Sequence, residues 1–578
     1  MTGPAAPKDP EKARPFFYIL KDKDIFGERQ KDGTGIQFIY ESDGRLINSA
    51  QITGNVTDKE ELTLLETVEG FGRLVHSIGV SVETDRPEET AEFVFQMYGK
   101  KDLYGGGTNL TTSLKCDGME HRIYLSDYRW TEDDHVPGQI KILFAAPERM
   151  GKVSVRLFLN DGYEAPPEEE DLFIDMHSEE YCGMISRSLL QLGNPYRIRK
   201  AIEKSKAGKE VTLAYIGGSI TQGAGAIPIH TECYAYKSFQ LFQNRFSTQN
   251  NVRFIKAGVG GTPSELGMIR FDRDVLREGE RPDIVVIEFA VNDEGDETKG
   301  VCYESLVRKV LKLPWKPAVV LLFSVFANDW NLQERLRPVG DLYDLPMVSI
   351  RDAVTPQFSL KCGEGRILSK NQFFYDIFHP NNTGHTIMAD CMQYLFERCD
   401  AAEPARVGTF VEGMTEEQIL SEKLFGPAVI GADFERIFLL DKKNRYVGAK
   451  IRTGSFTSTD IELQSVEMDG SLTQTPEFPY NWMYDGSRPQ MPGFEMEITC
   501  KSLFLIFKDS GEMDVGKADV FVNDVYCMTA DPHKNNWLHC NAVLLFWETE
   551  SRSHKVRITV TEEDQNKKFT ILGFGYTI

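Results

Sequence analysis

The sequence lacks several features that would place it in a well-defined class of protein. No run of about 18 consecutive apolar residues occurs, so no transmembrane helix is predicted. The ten cysteines show no Cys-x-x-Cys spacing, and we interpret them as reduced thiols that fill the core rather than as a disulfide framework. No Gly-x-Gly-x-x-Gly or Walker-type loop follows a predicted strand, so neither a nucleotide nor a flavin cofactor is expected.

The chain also has a deficit of positive charge. Its 65 Lys and Arg residues face 87 Asp and Glu residues, which gives a formal net charge of -22. Nucleic acids and anionic membrane surfaces are bound through basic patches that displace counterions, so neither is a predicted partner and a neutral substrate fits best. The sequence predicts no particular oligomeric state.

Residues 1–10 (MTGPAAPKDP) are polar and rich in proline. They lack the apolar stretch of a secretory signal. We therefore expect a cytoplasmic location, unless a leader segment has been removed.

A chain of 578 residues is longer than one core usually organises. At about 150 residues per domain the length suggests three or four domains, and we predict three: 1–167, 168–402 and 403–578. Residues 1–167 contain short alternating runs rich in Val, Ile, Phe and Tyr, for example 35–40, 139–144 and 153–159. This spacing predicts an antiparallel β-sandwich, followed by an acidic, proline-rich linker at 164–171.

From residue 168 the pattern changes to strands and helices in alternation. Strands are predicted at 211–217, 252–257, 283–290, 318–325 and 346–350, with helices at 234–246, 264–276, 303–313 and 384–398. Repeated β-α units imply a parallel sheet covered by helices on both faces. From 403 onward strands predominate again, at 434–440, 449–451, 495–500, 503–507, 519–522, 542–547, 555–560 and 569–578, and a second β-sandwich is predicted.

Three short segments of the middle region carry residues suited to acyl transfer. Ser219 follows an apolar run within Gly-Gly-Ser-Ile-Thr (217–221), where two glycines allow a sharp turn that exposes a small nucleophile. A serine hydroxyl needs a base. In Asp-Ile-Phe-His-Pro (376–380), Asp376 can hold one imidazole nitrogen of His379 while the other faces the serine. Asn292 follows the apolar run 283–289, and its amide can donate to an oxyanion.

With these segments the chain resembles the SGNH (GDSL-like) hydrolase superfamily, whose four blocks carry a Ser, a Gly, an Asn and an Asp-x-x-His. The second block corresponds to Lys-Ala-Gly-Val-Gly-Gly-Thr at 256–262, and by that resemblance Gly261 is the oxyanion glycine. The usual Gly-Asp-Ser has become Gly-Gly-Ser, and the usual Gly-x-Asn-Asp has become Ala-Val-Asn-Asp (290–293). Neither departure removes a group that does chemistry.

Each block taken alone also has a structural interpretation. Ser219 can be a turn residue, Asn292 with Asp293 is an ordinary strand-ending pair, and Asp376 with His379 can be a loop pair. No further His or Cys residues cluster with these at metal-ligand spacing. The joint pattern favours catalysis, because Ser219, Gly261 and Asn292 all follow the carboxyl ends of predicted strands, where ligands bind in open α/β sheets.

The predicted fold is thus α/β: a three-layer, doubly wound, parallel-sheet SGNH hydrolase core flanked by two β-sandwich domains. This architecture resembles bacterial carbohydrate esterases that deacetylate plant polysaccharides and oligosaccharides, such as those derived from xylan or mannan. The resemblance implies an acetylated carbohydrate substrate, an acetyl-enzyme intermediate and no cofactor or metal. The predicted catalytic residues are Ser219, Asp376, His379, Gly261 and Asn292. In addition, Trp330, Trp482 and Trp537 are either sugar-stacking residues or core and interface residues.

Two other functions remain open at this stage. One is different acyl chemistry on the same core, namely a lipase, a thioesterase or an acyltransferase. The absence of an obvious amphipathic lid helix beside the four blocks weighs against a lipase. The other is a non-catalytic carbohydrate-binding protein with a vestigial triad, against which the intact residue set argues.

Overall fold

The computed structural model describes residues 13–40, 45–101, 105–168, 170–277, 279–402, 416–469, 474–487 and 492–578. Residues 1–10, Glu169 of the predicted linker and the first residues of the region that begins at 403 lie outside these ranges. The described residues form a mixed α/β structure in which a parallel sheet is flanked along the chain by two β-rich domains. No described helix combines the length and apolarity that a membrane crossing requires.

The N-terminal β domain contains two antiparallel sheets that share one core. Its strands are β1 (Phe16–Phe26), β2 (Glu28–Arg29), β3 (Gly35–Tyr40), β4 (Val75–Thr84), β5 (Thr90–Gly99), β6 (Asn109–Lys115), β7 (His121–Tyr124), β8 (Asp134–Phe144) and β9 (Met150–Leu159). One sheet has the order β1-β9-β4-β7 and the other β2-β3-β8-β5-β6. Buried side chains of both sheets, such as Val155 and Phe93, belong to the same hydrophobic cluster, as the predicted sandwich requires.

Three short helices interrupt this domain between β3 and β4 and were not predicted. They are α1 (Arg45–Ile52), α2 (Lys59–Leu64) and α3 (Val68–Leu74). The side chains of Asp58 and Thr67 cap α2 and α3 by accepting hydrogen bonds from first-turn N–H groups. Helices of six to eight residues give too short a periodic pattern to stand out from the strands around them.

The central domain is built on a six-stranded sheet of order β10-β15-β14-β13-β11-β12. Its strands are β10 (Leu189–Gln191), β11 (Val211–Gly217), β12 (Val252–Gly258), β13 (Ile284–Glu288), β14 (Ala318–Phe323) and β15 (Met347–Ser349). β11 to β15 pair in parallel, and β10 pairs with β15 in the antiparallel sense. The five strands predicted for this domain are confirmed, and β11 has the predicted bounds.

Helices cover both faces of this sheet. They are α4 (Glu179–Ser186), α5 (Tyr196–Lys206), α6 (Ser219–Gln222), α7 (Ile229–Glu232), α8 (Tyr234–Phe246), α9 (Ser264–Phe271), α10 (Val301–Leu311), α11 (Gln333–Tyr343), α12 (Ile350–Phe358), α13 (Lys370–Phe373) and α14 (Asn382–Asp400). A π-helical turn, Asp272–Leu276, follows α9. Successive side chains of β11 point to opposite faces, so Leu213 packs in the core that contains α8 and α14, and Ala214 in the core that contains α9 and α10.

The C-terminal β domain follows α15 (Glu416–Phe425). Its strands are β16 (Phe438–Leu440), β17 (Ala449–Arg452), β18 (Ser465–Glu467), β19 (Gln474–Pro476), β20 (Trp482–Tyr484), β21 (Phe494–Asp509), β22 (Ala518–Val522), β23 (Val525–Ala530), β24 (His539–Val560) and β25 (Phe569–Thr577). All except β18 and β19 belong to one eight-stranded sheet. The structure joins segments that were predicted as separate strands into β21 and β24, because the polar breaks inside them are accommodated as register shifts.

The eight-stranded sheet folds over its own core. Phe494 and Leu505 both lie on β21, and a straight strand would separate them by about 36 Å. Phe574 is the register partner of Leu505, yet its ring centroid lies 5.7 Å from that of Phe494. β21 is therefore strongly bent, and one continuous sheet encloses the core of the predicted second sandwich.

The other face of this sheet packs against the central domain. Phe504 and Ile506 of β21 share a hydrophobic cluster with Leu266 and Ile269 of α9. The Ile269 side chain comes so close to Gly575 of β25 that a Cβ added there would lie 2.6 Å from it. The C-terminal β domain is thus attached through a continuous apolar core, close to the elements that follow β11 and β12.

The cysteines are free thiols, as predicted. Seven of the ten are buried: Cys116, Cys233, Cys302, Cys391, Cys399, Cys500 and Cys540. The interpretation as core residues is wrong for Cys182 and Cys527, which are exposed, and for Cys362, which is half-buried. A cysteine carries no sequence signal that separates a buried thiol from an exposed one when its neighbours are of mixed polarity.

A buried arginine joins α9 to the central sheet. Arg270 is 1% exposed, and its Nη1 donates to the carbonyl of Ala257 (2.6 Å) and to Oδ2 of Asp274 (3.0 Å). Its Nη2 donates to the carbonyl of Gly217 (2.8 Å). These carbonyls lie at the carboxyl ends of β11 and β12, so one guanidinium fixes both strand ends relative to α9.

Replacement of this arginine should destabilise the protein strongly. We expect Arg270→Met to lower the free energy of unfolding by about 3 to 5 kcal/mol, because the buried Asp274 loses one of its two cationic donors and the carbonyls of Ala257 and Gly217 lose a charged donor. Lys309→Met is the matched control, since Lys309 pairs with the exposed Asp272 on the neighbouring helix and should change the free energy by less than about 1 kcal/mol. Thermal and urea unfolding of the three proteins measure the difference, and equal stability of the wild type and Arg270→Met would contradict this role.

Candidate active site

Ser219 lies at a strand-to-helix turn that follows two closely packed glycines. β11 ends at Gly217, and Ser219 is the first residue of α6. A Cβ added to Gly217 would lie 2.2 Å from Oγ1 of Thr221, and one added to Gly218 would lie 2.2 Å from Oδ1 of Asn292. Close approach requires glycine at Gly217, since its added Cβ would also lie 2.5 Å from the carbonyl oxygen of Glu288, and the turn leaves the hydroxyl of Ser219 at the carboxyl edge of the sheet.

The structure brings Ser219, His379 and Asp376 into one hydrogen-bonded chain. Nδ1 of His379 lies 2.9 Å from Oδ2 and 3.0 Å from Oδ1 of Asp376, while its Nε2 lies 2.9 Å from Oγ of Ser219. The carboxylate is an acceptor, so Nδ1 carries the proton and Nε2 accepts from the serine hydroxyl. The side chains of His379 and Asp376 are 19% and 21% exposed, so both are partly accessible to solvent.

The Asp-x-x-His segment holds its own geometry. The backbone N–H groups of Phe378 and His379 both donate to Oδ1 of Asp376, at 2.7 and 2.9 Å. The same turn is tied back by the N–H of Tyr375, which donates to the carbonyl of His379 (2.8 Å). The carboxylate therefore orients the imidazole and folds the turn at the same time, which is why two residues three positions apart suffice.

Asn292 and the loop that carries Gly260 and Gly261 lie beside Ser219. A Cβ added to Gly260 would lie 3.9 Å from Cβ of Ser219, and Asn292 contacts Gly218. Within the described part of the chain, the N–H of Gly261 and the side chain of Asn292 form no hydrogen bond. The N–H of Ser219, at the first position of α6, also has no partner within that helix. This arrangement can donate to an oxygen that gains charge next to Ser219.

Glu288 was not predicted as part of the site, although it lies directly behind it. Its side chain is fully buried at the end of β13, and its Oε2 accepts a hydrogen bond from Oγ1 of Thr221 (3.0 Å). Oγ1 of Thr221 lies 2.8 Å from the hydroxyl of Tyr234. Burial raises the pKa of Glu288 to about 7. A glutamate inside an otherwise apolar strand is the one sequence signal that could have drawn attention to it.

Asp293 connects the third block to the helix that follows the second. Its Oδ1 accepts from the N–H of Ser264 (2.7 Å), the first residue of α9. The side chain is buried, and burial raises the pKa of Asp293 to about 8. Asn292 and the loop that carries Gly261 are thereby held to one another through a single side chain.

The C-terminal β domain also reaches the site, which the sequence did not predict. Nε2 of His539 donates to the carbonyl of Gly261 (3.0 Å), and a Cβ on Gly261 would lie 2.7 Å from the ring of Trp537. Trp537 is 43% exposed, so its ring is accessible, as the predicted stacking on a sugar would require. Trp482 is a core residue of the C-terminal β domain, and Trp330 is half-buried against Phe326 at 5.7 Å. In the described residues, no group of three or more His, Cys, Asp or Glu side chains has the arrangement of a metal site.

Residues 215–387 match the family model of the GDSL-like lipases and acylhydrolases. This range contains all four blocks, in the fold just described. The central domain is an SGNH hydrolase domain. This family and fold support ester hydrolysis as its chemistry.

Solved structures with the same fold include a two-domain esterase (CEX) active on acetylated mannans, with 23% identity and a TM-score of 0.54; it covers 68% of this chain and 98% of its own. A structure of such an esterase co-crystallised with mannopentaose is 24% identical, with a TM-score of 0.53 and the same coverage of both chains. At these identities the likeness shows the fold alone. No curated protein sequence matches the chain.

The buried Glu288 should make stability depend on pH. The unfolded chain loses this proton near 4.5 and the folded protein only near 7, so its contribution to stability is present at low pH and is lost as the pH rises between these values. Glutamine does not titrate, so the Glu288→Gln protein lacks this pH dependence. Between pH 4.5 and 8, the free energy of unfolding of the wild type should fall by roughly 3 kcal/mol more than that of Glu288→Gln. Urea unfolding across this pH range measures both slopes. Parallel slopes would show that Glu288 is ionised in the folded protein.

Proposed function

We propose that this protein is a serine esterase that removes acetyl groups from acetylated carbohydrates through an acetyl-enzyme intermediate. The observation that carries the proposal is the chain of hydrogen bonds from Ser219 through His379 to Asp376, at 2.9 Å for each link. The N–H of Gly261 and the side-chain amide of Asn292, which bind no described residue, lie close to the same hydroxyl. A nucleophile, its base, the group that orients the base and an oxyanion site are all that acyl transfer requires.

In the first half of the proposed reaction, Oγ of Ser219 attacks the acetyl carbonyl and Nε2 of His379 takes the hydroxyl proton. The resulting imidazolium is stabilised by Asp376, which stays ionised. The carbonyl oxygen becomes an oxyanion and accepts from the N–H groups of Ser219 and Gly261 and from the Asn292 amide. When the tetrahedral intermediate collapses, the bond to the sugar oxygen breaks and His379 returns the proton to the leaving alcohol.

The second half repeats these steps with water in place of Ser219. His379 takes a proton from the water as it attacks the acetyl-enzyme, and the same donors hold the oxyanion. Collapse breaks the ester bond to Ser219, the serine regains a proton from His379, and acetate leaves. Every proton in this cycle passes through Nε2 of His379.

The carbohydrate class is supported by three observations. An esterase of the same fold is active on acetylated mannans. The net charge of -22 suits a neutral substrate better than an anionic one. Trp537 offers an exposed indole ring next to Gly261, where it can cover the apolar face of a sugar whose acetyl group is at Ser219.

Loss of the nucleophile tests the chemistry. Ser219→Ala should lower kcat by about 10³-fold or more without changing the melting temperature, because a small side chain at a turn becomes slightly smaller. Release of acetate from acetylated xylo-, manno- and gluco-oligosaccharides is measured, with NMR of the ring positions that lose acetyl. Ser359→Ala, an exposed serine at the end of α12, is the control and should act like the wild type. A Ser219→Ala protein that keeps more than a tenth of the turnover would refute the proposed nucleophile.

The length of the acyl chain separates this proposal from a lipase. A pocket made for acetyl has no long apolar groove, and each methylene that finds no room forfeits up to about 0.8 kcal/mol of burial. Hydrolysis of p-nitrophenyl esters should fall steeply from acetate to butyrate and be nearly absent at octanoate. A maximum at butyrate or beyond would contradict deacetylation while leaving the roles of Ser219, His379 and Asp376 intact.

A further inference from the structure

The C-terminal β domain holds the loop that carries the proposed oxyanion donor. Nε2 of Gln464 donates to the carbonyl of Gly260 (3.0 Å), and Nε2 of His539 donates to the carbonyl of Gly261 (3.0 Å). Gln464 lies next to β18, and His539 is the first residue of β24. Two consecutive carbonyls of the SGNH domain are thus bound by side chains from outside that domain.

The bond from Gln464 determines where the N–H of Gly261 points. The carbonyl of Gly260 and the N–H of Gly261 belong to one peptide unit, which is trans, so the two groups point in opposite directions. With the carbonyl bound to Gln464, which is 8% exposed, the N–H is directed away from the C-terminal β domain. Gly261 itself is exposed.

The Gln464 amide is itself fixed in one orientation. Its Oε1 accepts from the N–H of Cys540 (3.0 Å), so its NH₂ group must face Gly260. Its backbone carbonyl accepts from the N–H of Glu477 (2.8 Å). On the other side of the loop, the N–H of Gly260 donates to Oε1 of Gln222, at the end of α6 (2.8 Å). Gly260 is therefore held from both sides, by α6 through its N–H and by the C-terminal β domain through its carbonyl.

The contacts of Gly260 with Gln222 and Gln464 constrain a loop that its own residues cannot hold in one conformation. Gly261 has φ +71°, a left-handed conformation, and glycine populates many alternatives to it. A Gly-Gly pair has no side chains with which to hold its own peptide plane. An oxyanion donor must be oriented before the charge develops, so the constraint has to come from neighbouring residues.

We propose that Gln464 is a positioning residue for the esterase reaction, and that it aims the N–H of Gly261 at the oxyanion from the C-terminal β domain. The inference rests on the proposed function and deepens it. The C-terminal β domain is then a component of the catalytic site and not only a neighbour of the substrate.

The test is Gln464→Met, which preserves side-chain length and removes both hydrogen bonds. We expect kcat for p-nitrophenyl acetate to fall about 10- to 100-fold while KM changes less than about threefold, because a misaligned donor weakens only the transition state. The rate constant for labelling of Ser219 by a serine-directed phosphonate should fall with kcat, since the phosphonyl oxygen uses the same donors. Asn292→Ala, which deletes a donor outright, gives the upper reference for the loss.

Arg277→Gln is the matched control for loosening of the domain contact. Arg277 of the SGNH domain pairs with Asp469 of the C-terminal β domain at 2.8 and 2.9 Å, without touching the Gly260 loop. It should keep wild-type kcat and KM. Gln464→Glu is the second variant: it keeps an acceptor for Cys540 but turns a carboxylate oxygen towards the carbonyl of Gly260, and should lose at least as much kcat as Gln464→Met.

The inference is overturned if folded Gln464→Met keeps kcat within twofold of the wild type, if only KM rises, or if Arg277→Gln loses as much activity. Should Gln464→Met fail to fold, Gln464→Glu decides by the same criteria. If the wild type neither hydrolyses acetate esters nor reacts with the phosphonate, the proposed function itself fails. If Ser219→Ala is inactive and the Gln464 variants are normal, only this inference fails.

Discussion

The site depends on how α9 is fixed to the central sheet. At its amino end, Asp293 accepts from the N–H of Ser264, and near its carboxyl end the Arg270 guanidinium binds the carbonyls of Gly217 and Ala257. The loop that carries Gly261 connects β12 to this helix, so its two ends are set by the same contacts that set the turn before Ser219. Ser219 and the loop that carries Gly261 therefore share one support, which the proposed reaction needs.

The region behind the site has an energetic consequence, because it buries ionisable groups. Glu288 and Asp293 lie behind the site and form no ion pair with any described residue, and burial raises the pKa of each, to about 7 and about 8. Carboxyls that stay protonated near neutral pH can both donate and accept, which suits the hydroxyl groups of Thr221 and Tyr234 around Glu288. Glu288 and Asp293 are thus suited to structural roles beside Ser219, while Asp376, which is partly exposed and hydrogen-bonded by two N–H groups, is suited to stabilise an imidazolium.

The sequence could predict those strands, helices and site residues whose geometry depends on neighbouring residues in the chain. β11 and α8 have the predicted bounds because a run of apolar residues, or a helical period, ends at glycine or at a polar turn. Ser219 and the Asp376–His379 pair carried their geometry in neighbouring residues, and the structure brings them together. The bend in β21 and the joining of β24 were not predictable, since polar breaks look the same whether a strand ends there or shifts register. α1 to α3 were missed because each is too short to show a period.

Gln464 and His539 illustrate the remaining limit. Each donates one hydrogen bond to a backbone carbonyl more than 200 positions away in the chain. Every residue has a backbone carbonyl, so nothing in the sequence indicates which one is bound. Only the placement of the C-terminal sheet against α9 brings them there, and that placement arises from apolar packing by Phe504, Ile506 and Ile269. A domain attached through a hydrophobic core cannot move freely away from the site. Its polar side chains therefore present a fixed surface to the Gly260 loop, and a fixed surface is what a loop without side chains requires to hold a donor in place.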